Sequence, residues 1–331
     1  MFGSRKSPPS QVDREAVHWA YRLFLGREPE SEQAVRSHMA GHATLEELRR
    51  GFVGSEEFRK TVGDFACPVM TGFEPAPKID RVEDSAQRAR LFAHIARSWS
   101  HFGETEPHWS VLTNEGFRND RIAENLETFY DSGRRTVDRL GAALARTGLT
   151  LPSRVHCVEL GCGVGRLTGW LAPLVDRVTA LDVSPRHLEI AREHLVGKGI
   201  TNVDLRQLRA IEDLDALPPI QLFFTFLVLQ HNPPPVMEAI LDGIFARMSP
   251  GGIAYFHLPT YSPGYRFDLE EYLGTHFGKI GMEMHMLPQR DVMRLAEKHR
   301  MEVHEVLEDA VHDLKPGMLS NFFLMRKRLD A

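Results

Sequence analysis

Cysteine is nearly absent from this chain: Cys67, Cys157 and Cys162 are all that 331 residues contain. Their spacing matches no metal-ligand pattern and three thiols cannot all pair, which fits a reducing compartment. No apolar run approaches the ~20 residues of a membrane helix. Met1 to Ser10 is polar, holds two prolines and lacks the apolar stretch of a secretory leader. A net charge of −5 offers no overall basic field for a nucleic-acid backbone. The one basic run, Arg326 to Arg328, reads as a solvated strand end. No Asp, Glu or His cluster has convincing ligand spacing, so no metal is expected. Two nucleotide-binding patterns are also missing, the dinucleotide G-x-G-x-x-G and the phosphate loop G-x-x-x-x-G-K-[ST]. The expectation is a cytoplasmic globular protein with neither a nucleic-acid partner nor a membrane span.

What is present is a different glycine loop. Val155 to Thr168 reads VHCVELGCGVGRLT: an apolar run ends in Glu159, and Gly161, Gly163 and Gly165 follow at alternate positions. Leu167 to Leu174 then reads as a helix start. Glycine lets a backbone take unusual dihedrals and approach a ligand closely, because no Cβ intervenes. Arg177 to Asp182 is a second apolar strand ending in a carboxylate. In doubly wound folds an acid ~20 positions beyond the glycine loop bonds ribose hydroxyls. Ser184 and Pro185 open the next helix, whose apolar stripe is Leu188, Ile190, Ala191 and Leu195. Asn202 to Leu208 reads as strand three. Gln221 to Pro233 reads as strand four, continuously apolar as a central parallel strand should be. A helix over Val236 to Met248, a turn at Ser249 to Gly252 and a strand over Ile253 to Leu258 complete the fifth unit. After Pro288 come a helix, Gln289 to Arg300, and two strands, Met301 to Leu307 and Leu319 to Met325.

Strands alternating with helices in this order predict a doubly wound, mostly parallel seven-stranded α/β sheet, preceded by a small all-α domain. The E-x-G-x-G-x-G run resembles the first motif of class I S-adenosylmethionine-dependent methyltransferases, and Val228 to Pro233 is similar to their V-L-Q-H-x-P segment. The resemblance covers roughly residues 151–328. It implies S-adenosylmethionine as cofactor, held by Glu159, Gly161, Cys162, Gly163, Gly165, Asp182, Val183 and Phe226. The aspartate that many members place after strand three is missing or displaced to Glu212 or Asp213, so the adenine contact stays unassigned. A non-catalytic interaction protein on the same fold is the rival reading, and retention of Glu159, the glycines and Asp182 argues against it.

Methyl transfer to an alcohol needs alignment, exclusion of water and removal of the hydroxyl proton. Two histidines fall at strand ends, where open α/β sheets bind ligands. His231 after strand four is the expected general base and His257 near the end of strand five the alternative. The stretch 259–288 interrupts the alternation with Tyr261, Tyr265, Phe267, Tyr272, His276, Phe277 and His285, and reads as a substrate-side insertion.

The front of the chain is organised differently. Residues 1–66 read as a helical domain: Ala16, Val17, Ala20, Tyr21, Phe24 and Leu25 recur at helical spacing up to Gly26, and further helices begin near Leu45 and Ser55. Tyr21 to Pro29 and Phe52 to Phe58 resemble a small domain related to phycobilisome-linker repeats, of unknown function. Because that domain often accompanies surface-polysaccharide enzymes, it implies a carbohydrate acceptor, a sugar hydroxyl in a bacterial surface glycan or its precursor. It also implies a protein partner for the domain itself. A small metabolite or lipid acceptor is the alternative. Residues 67–80 read as a proline-rich linker. Residues 81–331 form the methyltransferase-like part, beginning with a helical cap over 81–150. Two apolar stripes mark that cap (Leu91, Phe92, Ile95, Trp99; Ile122, Leu126, Phe129, Tyr130), with Trp109 and Tyr130 expected to help close the site.

Overall fold

The computed structural model describes residues 12–62, 75–309 and 318–330. The chain divides into two compact units, Met1–Pro68 and Val69–Ala331. Among the described residues the first holds four α-helices, α1 (Arg14–Ala20), α2 (Glu32–Gly41), α3 (Leu45–Val53) and α4 (Glu56–Val62). Asp13, Ser31 and Thr44 cap the first three, each side chain accepting a backbone N–H of the first turn. Past α1 the chain continues as a wider π turn over Tyr21–Leu25 and stops at Gly26, whose φ of 66° is left-handed. Val17, Tyr21, Val35, Leu48 and Phe52 form its core. Helix α2 escaped the periodicity reading because Val35 is its one buried apolar residue.

The second unit begins with α5 (Ser85–Thr105), α6 (Pro107–Val111) and α7 (Ile122–Thr147). Its sheet is built from β1 (His156–Leu160), β2 (Arg177–Asp182), β3 (Val203–Gln207), β4 (Ile220–Thr225), β5 (Met248–Tyr261), β6 (Met301–Glu308) and β7 (Leu319–Lys327). The strand order is β3-β2-β1-β4-β5-β7-β6. The first five run parallel, while β7 lies antiparallel between β5 and β6. Between them run α8 (Thr168–Leu171), α9 (Pro185–Gly197), α10 (Pro234–Arg247), α11 (Leu269–Thr275) and α12 (Gln289–Lys298). The doubly wound seven-stranded fold expected from the sequence is therefore the observed one. Two large apolar clusters pack the sheet: Phe223, Ile240, Phe245 and Phe256 belong to one, Cys157, Leu171, Phe224 and Leu324 to the other, and a smaller one holds Phe117, Phe129, Tyr130 and Val164. Strand order reverses between β1 and β4, and such switch points open a crevice beyond the strands' carboxyl ends.

Several local expectations need correction. The apolar run from Gln221 is not one strand. It leaves β4 at Thr225, turns through Leu227 at a left-handed φ of 61° and becomes a 3₁₀ turn over Leu229–His231. That backbone costs a non-glycine residue of order 1 kcal/mol. β5 starts earlier than expected, at Met248, because Met248 pairs with Ile220 before the register shifts. Leu126 is 42 % exposed, so the buried stripe of α7 runs instead through Phe129, Tyr130, Val137 and Leu140. The end of the expected linker pairs as well: Lys78–Ile79 forms a short parallel ladder with Arg266–Phe267. Cys67 and the rest of that linker up to residue 74 lie outside the described residues. The Arg326–Arg328 run does lie at a strand end, where Arg326 and Arg328 both reach Glu302.

Candidate active site

The loop after β1 and the loop after β4 meet at the switch point. Gly161, Gly163 and Gly165 have φ values of 70°, 53° and 83°, a region that side chains with a Cβ rarely enter. Space demands glycine too. A Cβ on Gly161 would come within 2.3 Å of Val228, and one on Gly163 within 2.6 Å of Val111 from α6. The loop is pinned to the tip of β2, where the Gly161 and Cys162 N–H groups both donate to the Leu181 carbonyl. Asp182 finishes the job through its carboxylate, accepting the Gly163 N–H at 2.8 Å and the Ser184 N–H at 2.9 Å. A carboxylate has about four acceptor positions, so two remain for a ligand.

A cleft opens over this loop. Gly161, Cys162, Gly163, Asp182, Val183 and Leu208 line one end. The cap supplies Phe92, Ile95, Trp99, Ser110 and Val111, and the β4 side supplies Phe226, Val228, His231 and Asn232. Of the expected cofactor residues, Glu159 and Gly165 do not line the cleft. Gly165 is where α9 packs, a Cβ there meeting Ala191 at 3.3 Å. Glu159 is 1 % exposed beneath the loop, where one oxygen accepts the Thr168 hydroxyl at 2.7 Å and the other has no hydrogen-bond partner. Burial pushes its pKa up to about 7.

His231 lines the cleft, its ring 4.8 Å from that of Trp99. Its Nδ1 lies 2.7 Å from the Glu283 carbonyl. A carbonyl only accepts, so Nδ1 carries the proton and Nε2 keeps a free lone pair. Burial pulls the ring's pKa down to about 4, keeping it neutral near pH 7. The alternative base, His257, is fully buried away from the cleft, 3.0 Å from Asp309 and 2.5 Å from the Ser320 hydroxyl. It is a core histidine.

Three other expectations change. Trp99 and Val111 cover the site in place of Trp109 and Tyr130. Trp109 is stacked under Arg118 at 4.3 Å, and Tyr130 lies against His194 at 3.5 Å. No residue of 259–288 lines the cleft; the insertion's rings pack on one another, as Tyr272 does against Phe267 and His276. Asp213 accepts the Arg209 and Ala210 N–H groups, so it braces its own turn rather than reaching the cleft. Sequence reasoning missed Phe92, Ile95 and Trp99 as lining residues because their helical spacing is also that of plain core. Among the described residues no group of three His, Cys, Asp or Glu is placed to hold a metal, and no helix is long and apolar enough to cross a membrane.

Residues 157–252 match the family model described as a methyltransferase domain. A ubiquinone biosynthesis O-methyltransferase of Xylella fastidiosa (strain 9a5c) is 36 % identical over 102 residues, covering 30 % of this chain and 40 % of that protein. The enzyme of the same name from Cereibacter sphaeroides (strain ATCC 17025 / ATH 2.4.3) is 29 % identical over 171 residues, or 51 % of this chain and 62 % of that one. The chain thus spans less than two thirds of the length of these curated relatives. Among solved structures, the magnesium protoporphyrin IX methyltransferase of Synechocystis PCC 6803 with bound S-adenosylhomocysteine superposes at a TM-score of 0.49 and 17 % identity, covering 70 % of this chain and 98 % of that one. The N-methyltransferase NodS of Bradyrhizobium japonicum WM9 gives 0.47 and 16 %, over 71 % and 98 %.

Proposed function

We propose that this chain is an S-adenosylmethionine-dependent O-methyltransferase. The observation that carries the reading is the positive-φ glycine loop locked to Asp182 in the same cleft as a neutral histidine with a free Nε2. The residues present fit the cofactor: a loop whose Gly161 and Gly163 carry no Cβ, a carboxylate with spare acceptor capacity and apolar side chains at Val183 and Leu208. Gly161, Cys162, Gly163, Asp182 and Val183 would hold it, with Phe226 beside them and Glu159 and Gly165 bracing the loop from behind. S-adenosylmethionine supplies a methyl group already activated by its positive sulfur. His231 takes the acceptor's hydroxyl proton at Nε2, since a neutral hydroxyl is a poor nucleophile. Trp99 and Val111 exclude water from the reacting atoms. The curated relatives' names, both O-methyltransferases, accord with an oxygen acceptor.

For the acceptor, the lining favours a hydroxyl on a mainly apolar body. Phe92, Ile95 and Trp99 from the cap line the cleft beside His231 and Asn232, with few polar groups to meet the many hydroxyls of a sugar. The surface-glycan expectation also loses the aromatic insertion that was to have held the sugar. Labelled cofactor incubated with lipid-soluble phenols and quinols, a glycan fraction and nucleotide-sugars tests this. Methyl transfer confined to the glycan or nucleotide-sugar samples would overturn the apolar assignment. The front unit we read as a separate binding module for a protein partner, since Trp19 and Leu23, one turn apart, are 48 % and 72 % exposed. A chain lacking residues 1–68 then binds S-adenosylhomocysteine as tightly as the full chain; weaker binding by a folded truncation contradicts the separation.

A further inference from the structure

The insertion supplies no lining side chain, yet it is organised around one partly buried carboxylate. Glu283 Oε1 lies 2.9 Å from His94 Nε2 on α5. Its Oε2 lies 2.8 Å from the Tyr272 hydroxyl on α11 and 2.8 Å from His285 Nε2. Proton positions follow from the far side of each ring. His94 Nδ1 accepts the Gly278 N–H at 3.2 Å, so the His94 proton sits on Nε2 and is donated to Glu283. His285 Nδ1 lies 2.9 Å from the Tyr265 hydroxyl, which has a proton to give, and this leaves the His285 proton on Nε2. Three donors from three segments converge on one carboxylate. Burial alone would raise its pKa, but the hydrogen bonds from His285, His94 and Tyr272 outweigh it and hold it at about 2.

The same residue's backbone reaches the cleft. The Glu283 carbonyl is the group that accepts the His231 Nδ1–H, and two residues on, the His285 N–H donates to the Gln230 carbonyl at 2.7 Å. A two-bond splint thus ties residues 283–285 to 230–231. We propose that Glu283 is a positioning residue: its carboxylate, gripped by His94, Tyr272 and His285, fixes the carbonyl that holds His231 in the tautomer able to take a proton at Nε2. This rests on the reading of His231 as the base. It gives the insertion a task other than contacting the acceptor, since it aims a group it does not itself contain. The arrangement resembles a histidine oriented by a second group, with a backbone carbonyl in the orienting place.

The test is ¹⁵N NMR of the histidine rings in the full chain, His231 being assigned by the signal lost in His231→Ala. Wild-type protein should show a single His231 tautomer, protonated at Nδ1. Glu283→Gln presents an NH₂ group to the three donors, which breaks the grip, and the His231 signals should shift towards a mixture of tautomers. With any acceptor that supports turnover, kcat should fall about 10- to 100-fold while S-adenosylhomocysteine affinity stays within about threefold. In the His231→Ala background the same change should alter kcat by less than about twofold, because the group it positions is gone. If Glu283→Gln does not fold, Tyr272→Phe removes one donor and should move the tautomer signal and kcat the same way by a smaller amount. An Nε2-protonated ring in wild type, or an unchanged tautomer and kcat in a folded variant that loses only thermal stability, would overturn the proposal. The tautomer is read without turnover. Failure of the methyltransferase reading, seen as no S-adenosylhomocysteine binding, is therefore distinguishable from failure of this one.

Discussion

The two ends of the cleft are made in opposite ways. The end proposed for the cofactor is local: Gly161, Cys162, Gly163, Asp182 and Val183 lie within 23 consecutive residues and are joined mainly by hydrogen bonds from backbone N–H groups. The end proposed for the acceptor is assembled from afar. Phe92, Ile95 and Trp99 come from the cap, His231 from the β4 loop, and the carbonyl that orients His231 from the insertion, 52 positions later in the chain. A backbone-built site depends on conformation at a few positions, so it leaves a compact sequence signature. A side-chain site built across segments depends on tertiary packing and leaves almost none.

Substitutions should separate the two ends, and the largest effect belongs to the first. Gly163→Val places a β-branched side chain at φ 53° and 2.6 Å from Val111. It should weaken S-adenosylhomocysteine binding by more than about 1,000-fold in calorimetry, and affinity within tenfold of wild type would break the comparison. His231→Ala belongs to the second end. It should lower kcat by about 10²- to 10⁴-fold and leave cofactor affinity nearly unchanged; steady-state turnover within a few fold of wild type would remove His231 from the base role. Asp182→Ala should cost roughly 2–4 kcal/mol of cofactor affinity, about 30- to 1,000-fold. It deletes both a ligand acceptor and the lock on the Gly163 N–H.

The smallest effect is one of sign. Glu159, under the cofactor end, has a folded pKa raised to about 7 from 4.5, so between those values the folded state holds the extra proton and stability falls as pH rises. His231 has a folded pKa lowered to about 4 from 6.5, so there the unfolded state holds the extra proton and stability rises with pH. Each contribution is at most about 3 kcal/mol. Unfolding curves from pH 4 to 8 should show Glu159→Gln gaining on wild type towards pH 7. His231→Ala should lose its pH-dependent deficit towards pH 4. Parallel curves for all three proteins would mean that neither group is buried as described.

The contrast also explains what could be read in advance. The sheet was legible because β1, β2 and β4 are buried along nearly their whole length and their sequences are mostly apolar. Asp182 was legible because an acid at the tip of the second strand has few other tasks. His231, singled out through its segment, lines the cleft, while His257, equally well placed in sequence, went into the core because its strand carries it between Asp309 and Ser320. Helical spacing cannot say that Trp99 meets a cleft and Trp109 an arginine. The insertion misled for the same reason. Its tyrosines and histidines suited a ligand surface by composition, and only the fold shows Tyr265, Tyr272 and His285 turned inward on Glu283 and on one another.

The central claim is that the glycine loop and Asp182 form a site for S-adenosylmethionine and its product. Calorimetric titration of the full chain with S-adenosylhomocysteine tests it most directly. The account predicts one site per chain with a low-micromolar or tighter Kd, about −8 kcal/mol or better. A folded protein that gives no binding signal at millimolar ligand would contradict the account at its base.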